Sequence, residues 1–239
     1  MKYIYGPLES RRLGVSLGVS LTPYKICSFD CIYCQLGRTS EKTIESKEYI
    51  SIDEILAELR LWMEHHPQAI SDLQYITLSG SGEPTLNTNI GRLIIEIKKL
   101  SSVPVAVITN ASMLSSPQVR RALAGADLIV PSLDAVKEEV FIRIDRPHEK
   151  IKVEEVIEGL VDLRKEFRGK IWLEVMLVKG LNDDLRHIRK LKEVIEQVNP
   201  DKIQLNSPVR ATTERDVIAV PKIKLEKIRG MLGDRCEIV

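Results

Sequence analysis

The sequence predicts an α/β fold, a partial (β/α)6 TIM-like barrel that is open on one side. Short runs rich in β-branched residues alternate with segments of helical apolar periodicity, which is the pattern of repeated βα units around a parallel sheet. The 239 residues, 44% of them hydrophobic, show no break in composition. We therefore expect a single domain over residues 1–239.

Six strands are predicted, each a short run of mainly apolar residues. Their bounds are Ser16–Leu21, Leu73–Ser79, Val103–Thr109, Ala126–Leu133, Ile171–Val178 and Lys202–Asn206. The helical segments between them are long enough for the crossovers that parallel strands require. A barrel of six strands leaves a lateral gap, which suits a bulky substrate.

Helices with one apolar face are predicted between these strands. The first face consists of Ile52, Ile55, Leu56, Leu59, Trp62 and Met63, and later faces fall within residues 90–97, 119–123, 153–163 and 185–195. Ser51 and Glu54 have the spacing of a capping box at the start of the first helix. A last apolar stripe at residues 223–232 is expected to close the barrel, within a C-terminal segment of about 207–239.

The overall charge gives no argument for a nucleic-acid or membrane partner, and any RNA binding would need a local basic patch. The charges nearly cancel, 35 Lys and Arg against 34 Asp and Glu, so no global field attracts nucleic acid or a membrane surface. No apolar run reaches the length of a membrane span. We expect no membrane partner, and we expect reduced thiols and a cytoplasmic location.

Three of the four cysteines, Cys27, Cys31 and Cys34, lie within eight residues of a predicted loop at 24–38. Iron-sulfur clusters are normally held by cysteine thiolates, usually four of them. A triad without a fourth partner would hold three irons of a cubane and leave one open to a small molecule. Zinc is an alternative, although only Cys31 and Cys34 have the spacing of a zinc knuckle. A disulfide scaffold is a weaker alternative in a chain of this length.

Polar residues lie at the carboxyl ends of the predicted strands, where parallel α/β folds bind their ligands. They are Ser81, Gly82 and Glu83 after the second strand, Thr109 and Asn110 at the third, Ser132 and Asp134 at the fourth, Glu174 in the fifth and Asn206 at the sixth. Among them, Thr109, Asn110, Ser132 and Asp134 offer hydroxyl, amide and carboxylate groups that suit a ribose and a carboxylate. Turn and capping roles are the alternative.

The pattern Cys-x3-Cys-x2-Cys, with Tyr33 before the last cysteine, resembles the signature of the radical S-adenosylmethionine (SAM) superfamily. Gly82-Glu83-Pro84 resembles the Gly-Gly-Glu-Pro motif of that superfamily, with Ser81 in place of the first glycine. The resemblance implies a 4Fe-4S cluster on the three cysteines and SAM at the open iron, cleaved reductively to a 5'-deoxyadenosyl radical.

The same resemblance implies contacts with SAM. Glu83 would accept a hydrogen bond from the methionine amine. The full set of implied contacts is Tyr33, Ser81, Gly82, Glu83, Thr109, Asn110, Ser132, Asp134, Glu174 and Asn206. An electron donor such as flavodoxin or ferredoxin is the implied partner.

Residues 10–14, Ser-Arg-Arg-Leu-Gly, and Arg146-Pro147-His148 resemble the branch related to the wyosine-base tRNA synthases. This branch suggests a tRNA base as substrate, and a protein side chain is the other macromolecular candidate. Archaeal enzymes of the branch carry extra N-terminal cysteines for a second cluster, whereas no cysteine precedes Cys27. We therefore expect one cluster and an undetermined substrate, with a tRNA base as the alternative.

A hypothesis of a different class is a non-catalytic electron-transfer protein, in which Cys236 completes a four-thiolate site. The default interpretation of Cys236 is a structural thiol. Further residues have no assigned role from sequence. Arg11, Arg12, Arg38, Arg210 and Arg215 lie in predicted loops that could border the open barrel face, with plain solvation as the alternative. Arg143, Arg146 and His148 follow the fourth strand, either where a side chain could touch SAM or substrate or in a surface helix-loop.

Overall fold

Ten strands and eight α-helices make up the computed structural model, which describes all residues from 1 to 239. The strands are β1 (Ile4–Ser10), β2 (Gly14–Ser20), β3 (Ile26–Cys27), β4 (Glu41–Lys42), β5 (Tyr75–Ser79), β6 (Val105–Thr109), β7 (Leu128–Pro131), β8 (Lys170–Met176), β9 (Lys202–Asn206) and β10 (Cys236–Ile238). The helices are α1 (Ile52–His65), α2 (Pro67–Asp72), α3 (Ile90–Leu100), α4 (Pro117–Leu123), α5 (Glu138–Ile144), α6 (Val153–Glu166), α7 (Leu185–Val198) and α8 (Lys222–Leu232).

Eight of the strands form one sheet in the order β1-β2-β5-β6-β7-β8-β9-β10. The pairs from β2 to β10 are parallel, and β1 alone runs antiparallel to its neighbour. Because β1 and β10 are not hydrogen-bonded to each other, the sheet does not close. The predicted open, TIM-like barrel is thus confirmed.

The six predicted strands correspond to β2, β5, β6, β7, β8 and β9, and each end differs by two residues or fewer. The prediction of six strands was nevertheless incomplete, because β1 and β10 add one strand at each edge. The β1 segment lacks an alternating pattern, since most of its side chains are exposed, and it contains Pro7, which an edge strand tolerates. The β10 strand has only three residues.

The predicted helices correspond to α1, α3, α4, α6, α7 and α8, whereas the short helices α2 and α5 were not predicted. The capping box at α1 was also wrong. Ser51 is the N-cap residue, but its side chain makes no capping hydrogen bond. The Glu48 carboxylate takes that role by accepting a bond of 3.1 Å from the Ile52 N–H.

Successive side chains along each strand point alternately to the helices outside the barrel and to its interior. Outward residues such as Ile76, Val107 and Leu173 pack with the helices in a core of 50 buried residues. The inward face of β6 and β7 is apolar, with Ala106, Leu128 and Val130 packed against Leu13. No helix combines the length and the hydropathy that crossing a membrane requires.

Candidate cofactor site

The cysteine loop lies at the carboxyl ends of the parallel strands, between β2 and α1, and the turn after β5 holds one side of it. The Lys25 N–H donates to Ser81 O at 2.8 Å, and the Glu83 N–H donates to Ile26 O at 3.1 Å. Gly82 has to be a glycine here, because a Cβ at this position would lie 1.8 Å from Ile26 O.

The segment after α5 holds the other side of the loop. The Ile32 N–H donates to Ile144 O at 2.9 Å, and the His148 N–H donates to Ser28 O at 2.8 Å. The loop is thus fixed by backbone bonds from the two βα connections that follow β5 and β7.

Each clustered thiol has a polar neighbour. Cys27 Sγ lies 3.6 Å from Asn110 Nδ2, and Cys34 Sγ lies 3.1 Å from Lys25 Nζ. Cys31 Sγ lies 3.6 Å from an Asp145 carboxyl oxygen. Burial raises the pKa of the Cys27 thiol to about 12 and raises that of Cys31 well above its usual value. These thiols therefore stay protonated until a metal displaces the protons.

All four cysteines are free, so a disulfide scaffold is excluded. Cys236 begins β10, where it pairs with Ile203 near the amino end of β9. That end is opposite to the carboxyl edge that carries the cysteine loop. The alternative in which Cys236 completes a four-thiolate site is therefore wrong. No group of three or more His, Cys, Asp or Glu side chains is arranged to hold a single metal ion.

Glu83 is buried and accepts four hydrogen bonds from the protein. Its Oε1 accepts from Thr85 N (3.0 Å), Thr85 Oγ1 (2.6 Å) and Thr109 Oγ1 (2.7 Å), and its Oε2 accepts from Asn110 N (2.8 Å). Oε2 accepts only one of these bonds, which leaves one of its lone pairs for a further donor such as an amine. Glu83 also joins the turn after β5 to the end of β6, and Thr109 shares that second role.

Tyr33, Ser132 and Asp134 meet at a second point, beside the loop. The Tyr33 hydroxyl donates to Asp134 Oδ2, and Asp134 Oδ1 accepts from Met176 N at 2.8 Å. The Ser132 hydroxyl makes no hydrogen bond, and Tyr33, Ser132 and Asp134 together line a small cavity of about 10 Å³. This volume holds about one water molecule, so binding of a nucleoside requires the lining side chains to move.

Asp145 is a site residue that the sequence did not single out. It is 3% exposed, it lines the same cavity, and its Oδ2 has no hydrogen-bond partner. Burial raises the pKa of Asp145 well above its usual value, and the neighbouring Asp134 carboxylate raises it further. Burial also raises the pKa of Asp134, to about 6. The sequence signal that could have revealed Asp145 is its position directly after the mainly apolar segment Val140 to Ile144.

Glu174 and Asn206 lie on the inner face of the barrel, where the Glu174 backbone forms a bridge with that of Ser132. Asn206 Nδ2 donates to Glu174 Oε1 at 3.2 Å, and the Arg12 guanidinium pairs with Glu174 Oε2. Arg12 belongs to the turn between β1 and β2, at the amino edge of the sheet. The prediction that Arg11 and Arg12 border the open face was therefore wrong, because the chain turns there before β2 begins.

The other arginines lie beside the cysteine loop. Glu214 accepts from Arg146 at 2.6 Å and from Arg38 at 2.8 Å, and Arg210 donates to Gln35 at 3.2 Å. Arg143 and Arg146 line a larger cavity of about 450 Å³ next to Ile32. The segment after β9 is thereby tied to the outer side of the loop.

The donor set of the loop fits an iron-sulfur cluster. Three thiols project from one loop, and amide or ammonium groups at Cys27 and Cys34 are suited to hydrogen-bond anionic sulfur. The fourth cysteine, Cys236, lies at the opposite edge of the sheet, which matches a cluster that keeps one iron open.

Comparison with known proteins identifies the family. The profile of the Radical SAM superfamily matches residues 21–191. The chain belongs to the radical SAM superfamily. Members of this superfamily are enzymes that bind a 4Fe-4S cluster and SAM.

Two relatives match nearly the whole chain but differ from each other in length. The chain is 35% identical to a UPF0026 protein of Methanocaldococcus jannaschii over 227 residues, which are 94% of this chain and 69% of that protein. It is 38% identical over 237 residues to a Brachyspira hyodysenteriae protein named GTPase Obg, of which it spans only 34%. Since the match leaves most of that protein uncovered, its GTPase name is not assigned to this chain.

A solved structure supports the radical SAM fold. TYW1 with a bound lysine-pyruvate adduct superposes with a TM-score of 0.68 and 21% identity, over 91% of this chain and 72% of that one. At this level of identity the likeness concerns the fold alone.

Proposed function

We propose that this protein is a radical SAM enzyme in which Cys27, Cys31 and Cys34 hold one 4Fe-4S cluster and leave an iron open for SAM. The observation that carries the proposal is the cysteine loop, fixed on both sides at the carboxyl edge of the barrel. When bound, these cofactors supply a 5'-deoxyadenosyl radical that takes a hydrogen atom from the substrate.

The residues around the loop have separable proposed roles. Ser132 has a free hydroxyl and, with Tyr33 and Asp134, would contact SAM once the small cavity opens. Ser81 and Gly82 would bring their backbone close to the methionine part. Glu83 would accept a hydrogen bond from the methionine amine at Oε2, and Thr109 would position the turn through its bond to Glu83 Oε1. Asn110 would hydrogen-bond the Cys27 sulfur.

Glu174 and Asn206 would face the substrate or the ribose from inside the barrel. Their side chains lie with Arg12 in a polar patch on β8 and β9. A small electron carrier such as flavodoxin or ferredoxin would reduce the cluster. We also propose that residues 1–239 act as one domain, since a single core runs from Tyr3 to Cys236.

Anaerobic reconstitution with iron and sulfide tests the proposal. We expect about four irons per chain and formation of 5'-deoxyadenosine when dithionite and SAM are added. Cys27→Ala, Cys31→Ala and Cys34→Ala should each abolish both. Cys236→Ala is the matched control and should retain both. A protein that binds the cluster yet never forms 5'-deoxyadenosine under these conditions is not a radical SAM enzyme of this kind.

A tRNA base is the second candidate substrate. It rests on the fold likeness to TYW1 and on the residues shared with the wyosine branch. No cysteine precedes Cys27 in these residues, so the second cluster of the archaeal enzymes has no ligands here. Comparison of tRNA nucleosides by mass spectrometry, from cells with and without the gene, is decisive. A nucleoside missing from the deletion strain supports the tRNA substrate, and identical profiles exclude it.

A further inference from the structure

Lys25 is a buried lysine without a carboxylate partner. Its residue is 3% exposed, and the one hydrogen-bond partner of its ammonium is Cys34 Sγ, at 3.1 Å. Lysines are almost never buried to this extent unless they are paired with a negative charge. The Lys25 ammonium therefore needs a negatively charged partner, and no carboxylate side chain pairs with it.

The backbone of Lys25 adopts a left-handed conformation, with φ of 57°. This conformation costs a residue with a Cβ about 1 kcal/mol or more, whereas a glycine adopts it freely. Both peptide groups are engaged, since the N–H donates to Ser81 O at 2.8 Å and the carbonyl accepts from Ser40 N at 3.1 Å. The backbone alone would be served better by glycine, so the retained side chain has a separate role.

The chemistry of Cys34 supplies the missing charge. As a neutral thiol, Cys34 leaves the buried ammonium uncompensated, but as a metal-bound thiolate it becomes the anion. We propose that Lys25 is a positioning residue for the iron-sulfur cluster. Its ammonium donates a charge-assisted hydrogen bond to the Cys34 sulfur and raises the reduction potential of the cluster. This inference rests on the proposed function.

The direction of the effect follows from charge. Reduction transfers one electron from an external reductant to the cluster, and no covalent bond forms or breaks. The added negative charge is stabilised by a fixed positive charge next to a ligating sulfur. Removing that charge therefore disfavours the reduced cluster and moves its potential to more negative values.

The test compares full-length variants after anaerobic reconstitution with iron and sulfide. Lys25→Met keeps the length of the side chain and removes the charge, whereas Lys25→Arg keeps the charge. Lys42→Met is the matched control. Lys42 pairs with Cys27 in the β3–β4 register, but its ammonium binds the carbonyl oxygens of Arg146 and Pro147, at 3.2 and 3.1 Å. Iron per chain and the potential, from an EPR-monitored titration with dithionite and mediators, are the readouts.

We expect Lys25→Met to lower the equilibrium constant for reduction of the cluster about tenfold. For one electron this corresponds to a shift of about 59 mV toward more negative potential. Lys25→Arg and Lys42→Met should stay close to the unmodified protein. An unchanged potential in a Lys25→Met protein that holds its full iron overturns the inference and leaves the proposed function intact.

Loss of the cluster from Lys25→Met is resolved by two further variants. If Lys25→Gln also loses iron while Lys25→Arg keeps it, the charge pairing is supported. If all three variants lose iron, Lys25 is required only for the shape of the loop, and the inference is overturned. Failure of the unmodified protein to bind iron refutes the proposed function itself.

Discussion

Glu83 shows how a single side chain can hold two loops of a binding site together. All four of its hydrogen bonds come from N–H or O–H donors, of which Thr109 and Asn110 belong to the next βα connection. Glu83→Gln keeps the shape but turns an NH2 group toward one of these donors. We expect a loss of about 2 kcal/mol in the free energy of unfolding, because a buried donor is left without an acceptor.

Urea unfolding of the apoprotein measures the effect of Glu83→Gln. The matched control is Glu64→Gln, since Glu64 is an exposed residue of α1 without a side-chain hydrogen bond. The control should change the free energy of unfolding by less than about 0.5 kcal/mol. If the two variants are equally stable, the four-bond arrangement at Glu83 contributes nothing to the fold.

The raised pKa of Asp134 predicts that the free energy of unfolding depends on pH. Burial raises its pKa in the folded protein to about 6, above the usual value of 3.8. Between these two values the folded state binds the proton more strongly than the unfolded state does. The stabilising contribution is therefore fully present below about pH 4 and is lost as pH rises toward about 6.

Asp134→Asn tests this dependence, because asparagine mimics the protonated acid at every pH. Compared with the variant, the unmodified apoprotein should lose more stability between pH 4 and pH 7. Urea midpoints measured across this range provide the comparison. Parallel curves for the two proteins would mean that Asp134 ionises in the folded protein much as it does in the unfolded chain.

At the scale of elements, the β1–β2 hairpin closes the amino end of the barrel. Its turn packs Leu13 against Ala106 and Leu128 and inserts Arg12 toward Glu174. Arg12→Gln leaves the buried carboxylate without its charged partner. We expect a loss of about 2 kcal/mol in the free energy of unfolding, less than for a fully buried pair because the Arg12 side chain is 29% exposed.

The neighbouring arginine supplies the control for this element. Arg11 is exposed and donates only to the carbonyl of Val239, at 3.2 Å, so Arg11→Gln should have little effect. Glu174→Gln combined with Arg12→Gln should recover part of the loss, since no buried charge then remains. If the double variant is as unstable as the sum of the single changes, Arg12 and Glu174 do not interact.

The strands that the sequence predicted are those with helices on one face and the barrel interior on the other. Central strands such as β6 and β7 carry dense apolar runs, which signal burial without knowledge of the partner strand. Edge strands lack this signal. The β1 strand is mostly exposed and β10 is too short to show a period, so neither could be found from pattern alone.

The same limit applies to the site. The rule that ligands bind at the carboxyl ends of parallel strands was enough to bring Asn110, Ser132 and Asp134 to the cysteine loop. It could not reveal that Glu83 binds the end of β6 or that Asp145 faces Asp134, because those facts depend on pairings across the barrel. The charge of Lys25 became informative only once its distance to Cys34 was known.

At the scale of the whole molecule, the two tryptophans belong to different halves of the chain of the proposed single domain. Trp62 is buried in α1, whereas Trp172 lies on β8 and its ring packs across the barrel against Tyr75 of β5, with 6.2 Å between the ring centroids. Because one core joins both regions, we expect one cooperative unfolding transition for the apoprotein.

Two variants separate the signals. Trp172→Phe leaves Trp62 as the sole tryptophan, and Trp62→Phe leaves Trp172, since the chain has only these two. In each variant, the urea midpoint from tryptophan fluorescence should coincide with the midpoint from far-ultraviolet circular dichroism, because both probes then follow the same event. Comparing probes within one variant removes the stability change that the substitution itself causes. A fluorescence midpoint that differs from the circular dichroism midpoint in either variant would show that the two halves unfold separately and would refute the single domain.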